Sequence, residues 1–283
     1  MSPDLLAVVW QIFAVAMGVT LGSFANVSID RSPHDRSLFH PSACDHCNTP
    51  LRPYELVPIA SWVWLRGRCR TCEGAISARM PLIELLMGCL SWLLYTRFVG
   101  LDQPIPTPGA LATWATFLCF TLLLVIATYV DIRHRIIPDH TSFLAVPVGV
   151  AGLFAMETLG YQGWLGIGWR QGVIGALFCG GLFTAFALSA RALQGSEALG
   201  WGDVKLWAMV GSFVGAFPGG LLVMMSASLW GAMWALAMTL VQQRRLAPPQ
   251  APNIALMAIL WVLVGDTLVE RVFPGMAFFL PGV

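Results

Sequence analysis

Two aspartates stand where charge is least expected. Asp131 ends the apolar run 116–130, and Asp203 follows Gly200-Trp201-Gly202 immediately before another apolar run. A lone carboxylate at a membrane edge is ordinarily a solvated helix end. Two of them, each abutting an apolar span in a chain with 11% charged residues, point to a paired-carboxylate site at a bilayer surface. Brought close, two carboxylates cannot both ionise easily, so they share a proton. One then acts as general base on a water while the other acts as acid, the chemistry of aspartic proteases. The plain alternative for Asp203 is the N-cap of a loop-to-helix junction. The rival to Asp131 is Asp139, which follows Pro138 and is expected to begin the next helix as its cap.

A second constellation is metal-ligating. Cys44-Asp45-His46-Cys47 and Cys69-Arg70-Thr71-Cys72 form CxxC pairs with 21 residues between them. Each pair makes a tight knuckle presenting two thiolates, and two knuckles close a four-thiolate tetrahedral site with no open position, which suits structural zinc. Two disulfides are the alternative, disfavoured in a reducing compartment. His46 lies inside the first knuckle and could replace a thiolate, though four cysteines make the simpler set. Arg66, Arg68 and Arg70 are read as balancing thiolate charge or meeting anionic lipid. A segment this small needs a metal to supply the folding free energy that burial cannot. Cys89, Cys119 and Cys179 lie within apolar runs and are expected to be ordinary buried side chains.

The elements that must position these residues are membrane helices. At 57% hydrophobic, the chain is not a soluble globular domain. Eight apolar runs approach the length needed to cross a bilayer: about 5–25, 80–99, 111–130, 141–160, 171–190, 204–217, 220–241 and 254–273. The first lacks the basic flank and cleavage pattern of a signal peptide and is read as a true span. With the N-terminus outward, 13 of the 16 Lys and Arg residues fall on inner segments and three, Arg97, Arg170 and Arg271, on outer ones. This asymmetry assigns Asp131, Asp203 and segment 26–79 to the cytoplasmic side. The net charge of +1 gives no reason to expect nucleic acid. The expected fold is therefore an all-α polytopic membrane protein of about eight transmembrane helices, with a small zinc-binding cytoplasmic segment between helices 1 and 2. Residues 1–25 form the first span, 26–79 the four-cysteine segment, and 80–283 the remaining membrane domain. Gly211-Ser212-Phe213-Val214-Gly215 fits a close helix-packing pattern, and Gly172, Gly175, Gly180 and Gly181 are also candidates for close approach.

The order of motifs resembles one family, the type 4 prepilin peptidases, membrane aspartic proteases of the GxGD type. Gly22-Ser23-Phe24-Ala25-Asn26-Val27 is similar to its GSFxNV signature, followed by the cysteine knuckles and by Pro81-Leu82-Ile83-Glu84-Leu85-Leu86, similar to PLxELL. Asp131 with Ile137-Pro138-Asp139 resembles its D-x5-(L/I)PD segment, and Glu197-Ala198-Leu199-Gly200-Trp201-Gly202-Asp203-Val204-Lys205-Leu206 its E-x-MGxGDxKL block. The likeness covers nearly the whole chain. Leu199 departs from the usual methionine. The interval between the aspartates is somewhat long, with the extra residues expected near Gly160–Arg170. Ala251-Pro252-Asn253-Ile254-Ala255 replaces a Pro-Phe-Gly-Pro-like patch, which discounts a substrate-contact role there.

The resemblance implies Asp131 and Asp203 as the catalytic pair, in a multi-pass protein of the bacterial inner membrane whose site faces the cytoplasm. Its substrates would be prepilins or pseudopilins, cut after a glycine where a basic leader meets an apolar helix. It implies S-adenosylmethionine as donor for N-methylation of the new N-terminus, with segment 26–79 the region to suspect and Glu84 the candidate residue. Gly200 and Gly202 leave room for an extended substrate backbone. Glu197 and Lys205 are candidate substrate contacts, against plain readings as a solvated carboxylate and a snorkelling lysine. A non-enzymatic zinc-bearing assembly protein of a pilus or type II secretion system is the alternative, and it would need neither aspartate. A transporter would be expected to carry its carboxylates near the bilayer midplane rather than at one edge.

Overall fold

The computed structural model describes residues 2–34, 36–38, 40–161, 167–194, 200–242 and 249–272. Among them the chain is all-α, its only extended pairing being two isolated antiparallel bridges, and it divides into two compact units, Met1–Ile105 and Pro106–Val283. All eight apolar runs are helical. Five helices are long and apolar enough to cross a membrane.

The first unit is built on α1 (Pro3–Arg31), α2 (Ala60–Trp64) and α3 (Arg79–Phe98). Helix α1 starts where Ser2 accepts the Leu5 N–H with Pro3 in the first turn, a favourable start for a helix. It runs antiparallel to α3 along a ladder of small residues. A Cβ on Gly18 would run into Met87 O, and one on Gly22 would lie 2.6 Å from Glu84 Cα. Polar bonds fix the register at intervals: Ser91 Oγ donates to Ala14 O at 2.6 Å, and Asn26 Nδ2 donates to Met80 O at 3.0 Å. At the end of the ladder Arg79 Nη2 reaches both Asp30 carboxylate oxygens at 2.8 and 2.6 Å. With little hydrophobic drive between helices in lipid, close backbone approach and such bonds supply the association. The contacts thus group α3 with α1 and the cysteine segment, whereas the sequence division at residue 80 sets it with the helices that follow.

The second unit is centred on α4 (Pro108–His134), capped by Thr107 and ended by Arg135 in the left-handed region at φ 56°. Of its most apolar window, 72% is buried, so α4 is a core helix rather than a lipid-facing one. After it come α5 (Asp139–Ser142), α6 (Ala145–Thr158), α7 (Trp169–Gln194), α8 (Trp201–Val214), α9 (Leu221–Gln242) and α10 (Ala251–Val272). The fourth apolar run is thus two pieces, α5 and α6, and Asp139 is the first residue of α5 with Pro138 in the cap position. Helices α7 and α8 cross at their glycines: a Cβ on Gly175 would run into Gly211 O, and one on Gly211 into Gly175 O. Gly180 faces Ala208, but Gly181 has no neighbour within 4 Å and takes no part. Phe183 stacks on Trp207 with centroids 4.8 Å apart, and Phe120 of α4 on Phe213 of α8 at 4.5 Å. Of the three isolated cysteines only Cys179 is buried; Cys119 is half-buried and Cys89 lies on the outer surface of α3. An apolar run signals a span but not which face turns inward.

Gly175→Ala and Gly211→Ala should each force α7 and α8 apart. Overpacking of this kind costs about 1–3 kcal/mol. Unfolding of purified protein in detergent should show the loss, and Gly181→Ala should not.

Candidate active site

Asp131 sits one turn before the end of α4 and is 7% exposed. A buried carboxylate is costly unless donors reach it. Its donor is the backbone of α10: the Ala251 N–H donates to Asp131 Oδ2 at 3.0 Å, and the Gln250 backbone also lies against it. Gln250 O accepts from the N–H groups of Asn253 and Ile254, both at 3.1 Å, so Gln250 is the helix cap and Ala251 the first helical residue. Its N–H is one of those that no helix can satisfy internally. The sequence discounts the 251–255 patch. The structure sets its first residue on Asp131, a contact that a backbone N–H leaves no side-chain signal to find.

Asp203 occupies the third position of α8, where its own N–H bonds to Gly200 O at 3.0 Å; the cap is Gly200, not Asp203. Its carboxyl lines a cavity with Phe183, Trp207, Ala227, Ser228, Gln250 and Ile254. Gln250, the residue before the Asp131 donor Ala251, lines the Asp203 cavity and so adjoins both aspartates. The two segments are clamped beside the pair. Lys205 Nζ donates to Asp139 Oδ1 at 2.5 Å, and a Cβ on Gly202 would stand 3.1 Å from Ile137 Cβ. The Lys205 ammonium thus lies on Asp139, whose side chain is 75% exposed, as an ion pair worth little in isolation. Glu197 and Leu199 lie outside the described residues, as do 162–166 within the stretch expected to hold the extra loop.

In the first unit the four cysteines converge, with their sulfurs all within 4.8 Å of one another. Cys44 and Cys72 Sγ are 3.8 Å apart, and Cys47 and Cys69 Sγ 4.0 Å. A tetrahedral ion with metal–sulfur bonds of about 2.3 Å sets its sulfurs about 3.8 Å apart. The cysteines are free thiols, not disulfides. The two knuckles are copies of one another. Cys44 N donates to Thr49 O at 3.0 Å and Asn48 N to Cys44 O at 2.9 Å; in the second knuckle Cys69 N donates to Gly74 O at 2.8 Å and Glu73 N to Cys69 O at 3.0 Å. The His46 and Thr71 N–H groups each point at the first sulfur of their knuckle at 3.4 Å. Asn48 and Glu73 take φ 54° and 55°. The Thr49 hydroxyl and backbone hold the Cys47 thiol down to about 6. Cys72 is pushed up to about 12: the Gly74 N–H lowers it, but burial and the other three sulfurs outweigh that. A donor set of this shape, backed by N–H groups on sulfur, fits a structural metal. The His46 ring faces Ala75 O at 3.3 Å instead of the sulfurs.

Glu84, 7% exposed at the start of α3, accepts the Ile59 N–H on Oε2 at 2.7 Å. Ile59 stands at φ 59°, ψ −53°, and the Ala60 N–H bonds back to Pro58 O at 2.5 Å. That is a γ-turn of the rare hand, strained for a β-branched residue. Asn26 of α1 donates its amide to Met80 O, one turn before Glu84 in α3, and its Oδ1 is buried without a hydrogen-bond partner among the described residues. Proton exchange at the Ile59 amide should therefore depend on Glu84. Glu84→Ala removes its acceptor at a cost of about 1–3 kcal/mol, and exchange there should accelerate by one to two orders of magnitude.

The chain matches two family models: the Bacterial Peptidase A24 N-terminal domain over residues 16–98 and the Type IV leader peptidase family over residues 118–236. It is similar to the prepilin leader peptidase/N-methyltransferase of Aeromonas hydrophila, 33% identical over 92% of this chain and 93% of that one. The protein of the same name from Dickeya chrysanthemi is 35% identical over 83% of this chain and 84% of its own. That from Myxococcus xanthus is 33% identical over 89% and 69% respectively. No solved structure matches the chain.

Proposed function

This chain belongs to the type IV leader peptidase family, and from that premise we propose that it is a membrane aspartic endopeptidase removing the basic leader of prepilins or pseudopilins. The observation that carries the reading is the arrangement in the second unit: Asp131 held by a main-chain donor, and Asp203 in the wall of a cavity that Gln250 shares. A water between the carboxylates would lose a proton to one while the other protonates the peptide carbonyl oxygen. Gly200 has only the Asp203 carboxyl within 4 Å of where its Cβ would be, so an extended substrate can lie against it there, while Gly202 is packed on Ile137 and serves to seat that segment. Lys205 reaches a substrate only by exchanging its Asp139 partner. The basic-residue asymmetry supports a bacterial inner-membrane protein whose site faces the cytoplasm, where a cytoplasmic leader joins its helix.

The same reading makes the chain bifunctional. The relatives carry N-methyltransferase in their names, and the first unit offers the acceptors a peptide amine needs: the Glu84 carboxylate and the unpartnered Asn26 Oδ1. S-adenosylmethionine supplies the methyl group when bound. Glu84 and Asn26 would accept the N–H groups of the amine and hold it in line, a task of positioning that the aspartate pair cannot also serve. The four cysteines would hold zinc, which ties residues 44 and 72 together and fixes the segment between α1 and α3.

Asp131→Asn and Asp203→Asn should each lower leader cleavage about 10³-fold or more, and the losses should not add in the double variant. Asp139→Asn should be milder. Co-expression with a prepilin-like substrate reads this directly, and normal processing by either single variant refutes the pair. Purified protein should carry about one zinc per chain. Cys47→Ser or Cys69→Ser should lower the metal content, and metal-free wild type would contradict the assignment.

A further inference from the structure

Two carboxylates that share a proton must start the cycle with one charged and one neutral, and the surroundings of the pair differ. Asp131 accepts the Ala251 N–H at 3.0 Å, the first N–H of α10, with the Gln250 backbone beside it. That end of the helix carries partial positive charge. It is held in place from α9, where Gly231 leaves room for the buried Asn253: a Cβ there would lie 3.2 Å from Asn253 Nδ2. Asp203 has no comparable donor. No hydrogen bond from a described residue reaches its carboxyl, and most of the side chains around it, Phe183, Trp207, Ala227 and Ile254, are apolar. The other charges are few. Arg135 caps α4 with its N–H on Asp131 O at 3.0 Å and is the nearest cation in sequence after Arg133, while Asp139 of α5 and Lys205 of α8 pair with each other. The first turn of α10, residues 251–255, brings no charged side chain.

Resting on the catalytic pair argued above, we propose that the first turn of α10 sets the direction of proton transfer: the Ala251 N–H makes Asp131 the ionised base and leaves Asp203 as the acid. Ala251 is thus a positioning residue acting through its backbone. In the first step the oxygen of water bonds to the scissile carbonyl carbon, its proton passes to Asp131, and the proton of Asp203 passes to the carbonyl oxygen. The resulting gem-diol collapses: the carbon–nitrogen bond breaks, the leaving nitrogen takes the proton from Asp131, and a hydroxyl returns one to Asp203. One water is consumed and both carboxyls end as they began. The main-chain donor matters at each end of this cycle, because it stabilises the charged Asp131 more than the neutral one.

Proline is tolerated at the first position of a helix, so Ala251→Pro deletes this N–H while keeping the helix. Cleavage of a prepilin-like peptide by full-length protein in detergent should slow about 10- to 100-fold, the worth of one hydrogen bond to a charged group. The pH at which activity is lost on acidification should rise by about one unit. Ala251→Gly restores the N–H and should restore that limb to its wild-type position. If Ala251→Pro does not accumulate, replacing the alanine by its α-hydroxy acid removes the N–H alone, with the same two readings expected. A slow variant whose acid limb does not move, or a variant as fast as wild type, overturns the proposal while Asp131→Asn remains dead. Normal cleavage by Asp131→Asn overturns the catalytic pair, and this proposal with it.

Discussion

A carboxylate can sit inside an apolar helix bundle only if the bundle itself supplies donors, and much of the second unit is arranged around that requirement. Asp131 is on α4, whose most apolar window is the most buried of the five candidate spans. It is only 7% exposed, so the protein must bring a donor to it. The first turn of a helix is the part with N–H groups to spare, and α10 begins where the Asp131 carboxylate lies. The α7–α8 crossing carries Asp203 in turn. Gly175 and Gly211 let the two backbones touch, and the Phe183–Trp207 stack forms one wall of the cavity beside Asp203. Replacing either glycine would therefore move a wall of the site as well as a helix.

The first unit solves a different problem. Segment 40–78 has little regular structure beyond short helical turns, so its shape must come from point restraints. The cysteine knuckles supply one, two copies of a single backbone design whose sulfurs meet at tetrahedral spacing. Glu84 supplies another, since it fixes Ile59 in a turn that a β-branched residue would not choose. Arg79 on Asp30 and Asn26 on Met80 O lock the helices on either side. Strain held by a buried carboxylate, next to an acceptor without a partner, is the pattern of a binding site more than of a hinge.

What the sequence made legible was chemistry with a side-chain signature. Apolar runs announce spans because lipid tolerates little else, and all eight are helices in the structure. The CxxC spacing foretells the sulfur cluster because a knuckle needs two thiolates three residues apart. Asp131 and Asp203 were conspicuous because charge is rare at such positions. What escaped was carried by backbone and by partner choice. No residue type marks the Ala251 N–H, and the 251–255 patch carries no familiar side-chain pattern. Lys205 has a carboxylate two residues away in sequence, yet its ammonium pairs with Asp139 across two elements. Gly181 looks like Gly180 in the sequence but turns to open space, since a one-residue step moves a helix face by about 100°.

The central claim, that one chain cuts a leader and modifies the new end at a second site, is tested most directly by intact mass. Purified protein would be given a prepilin-like substrate with S-adenosylmethionine, and both products weighed over time. The account predicts a leader ending in glycine and a mature chain that appears first unmodified and then heavier by one methyl group. A substrate that gains the methyl group while its leader is still attached, or one that stays whole with fresh protein, would contradict it.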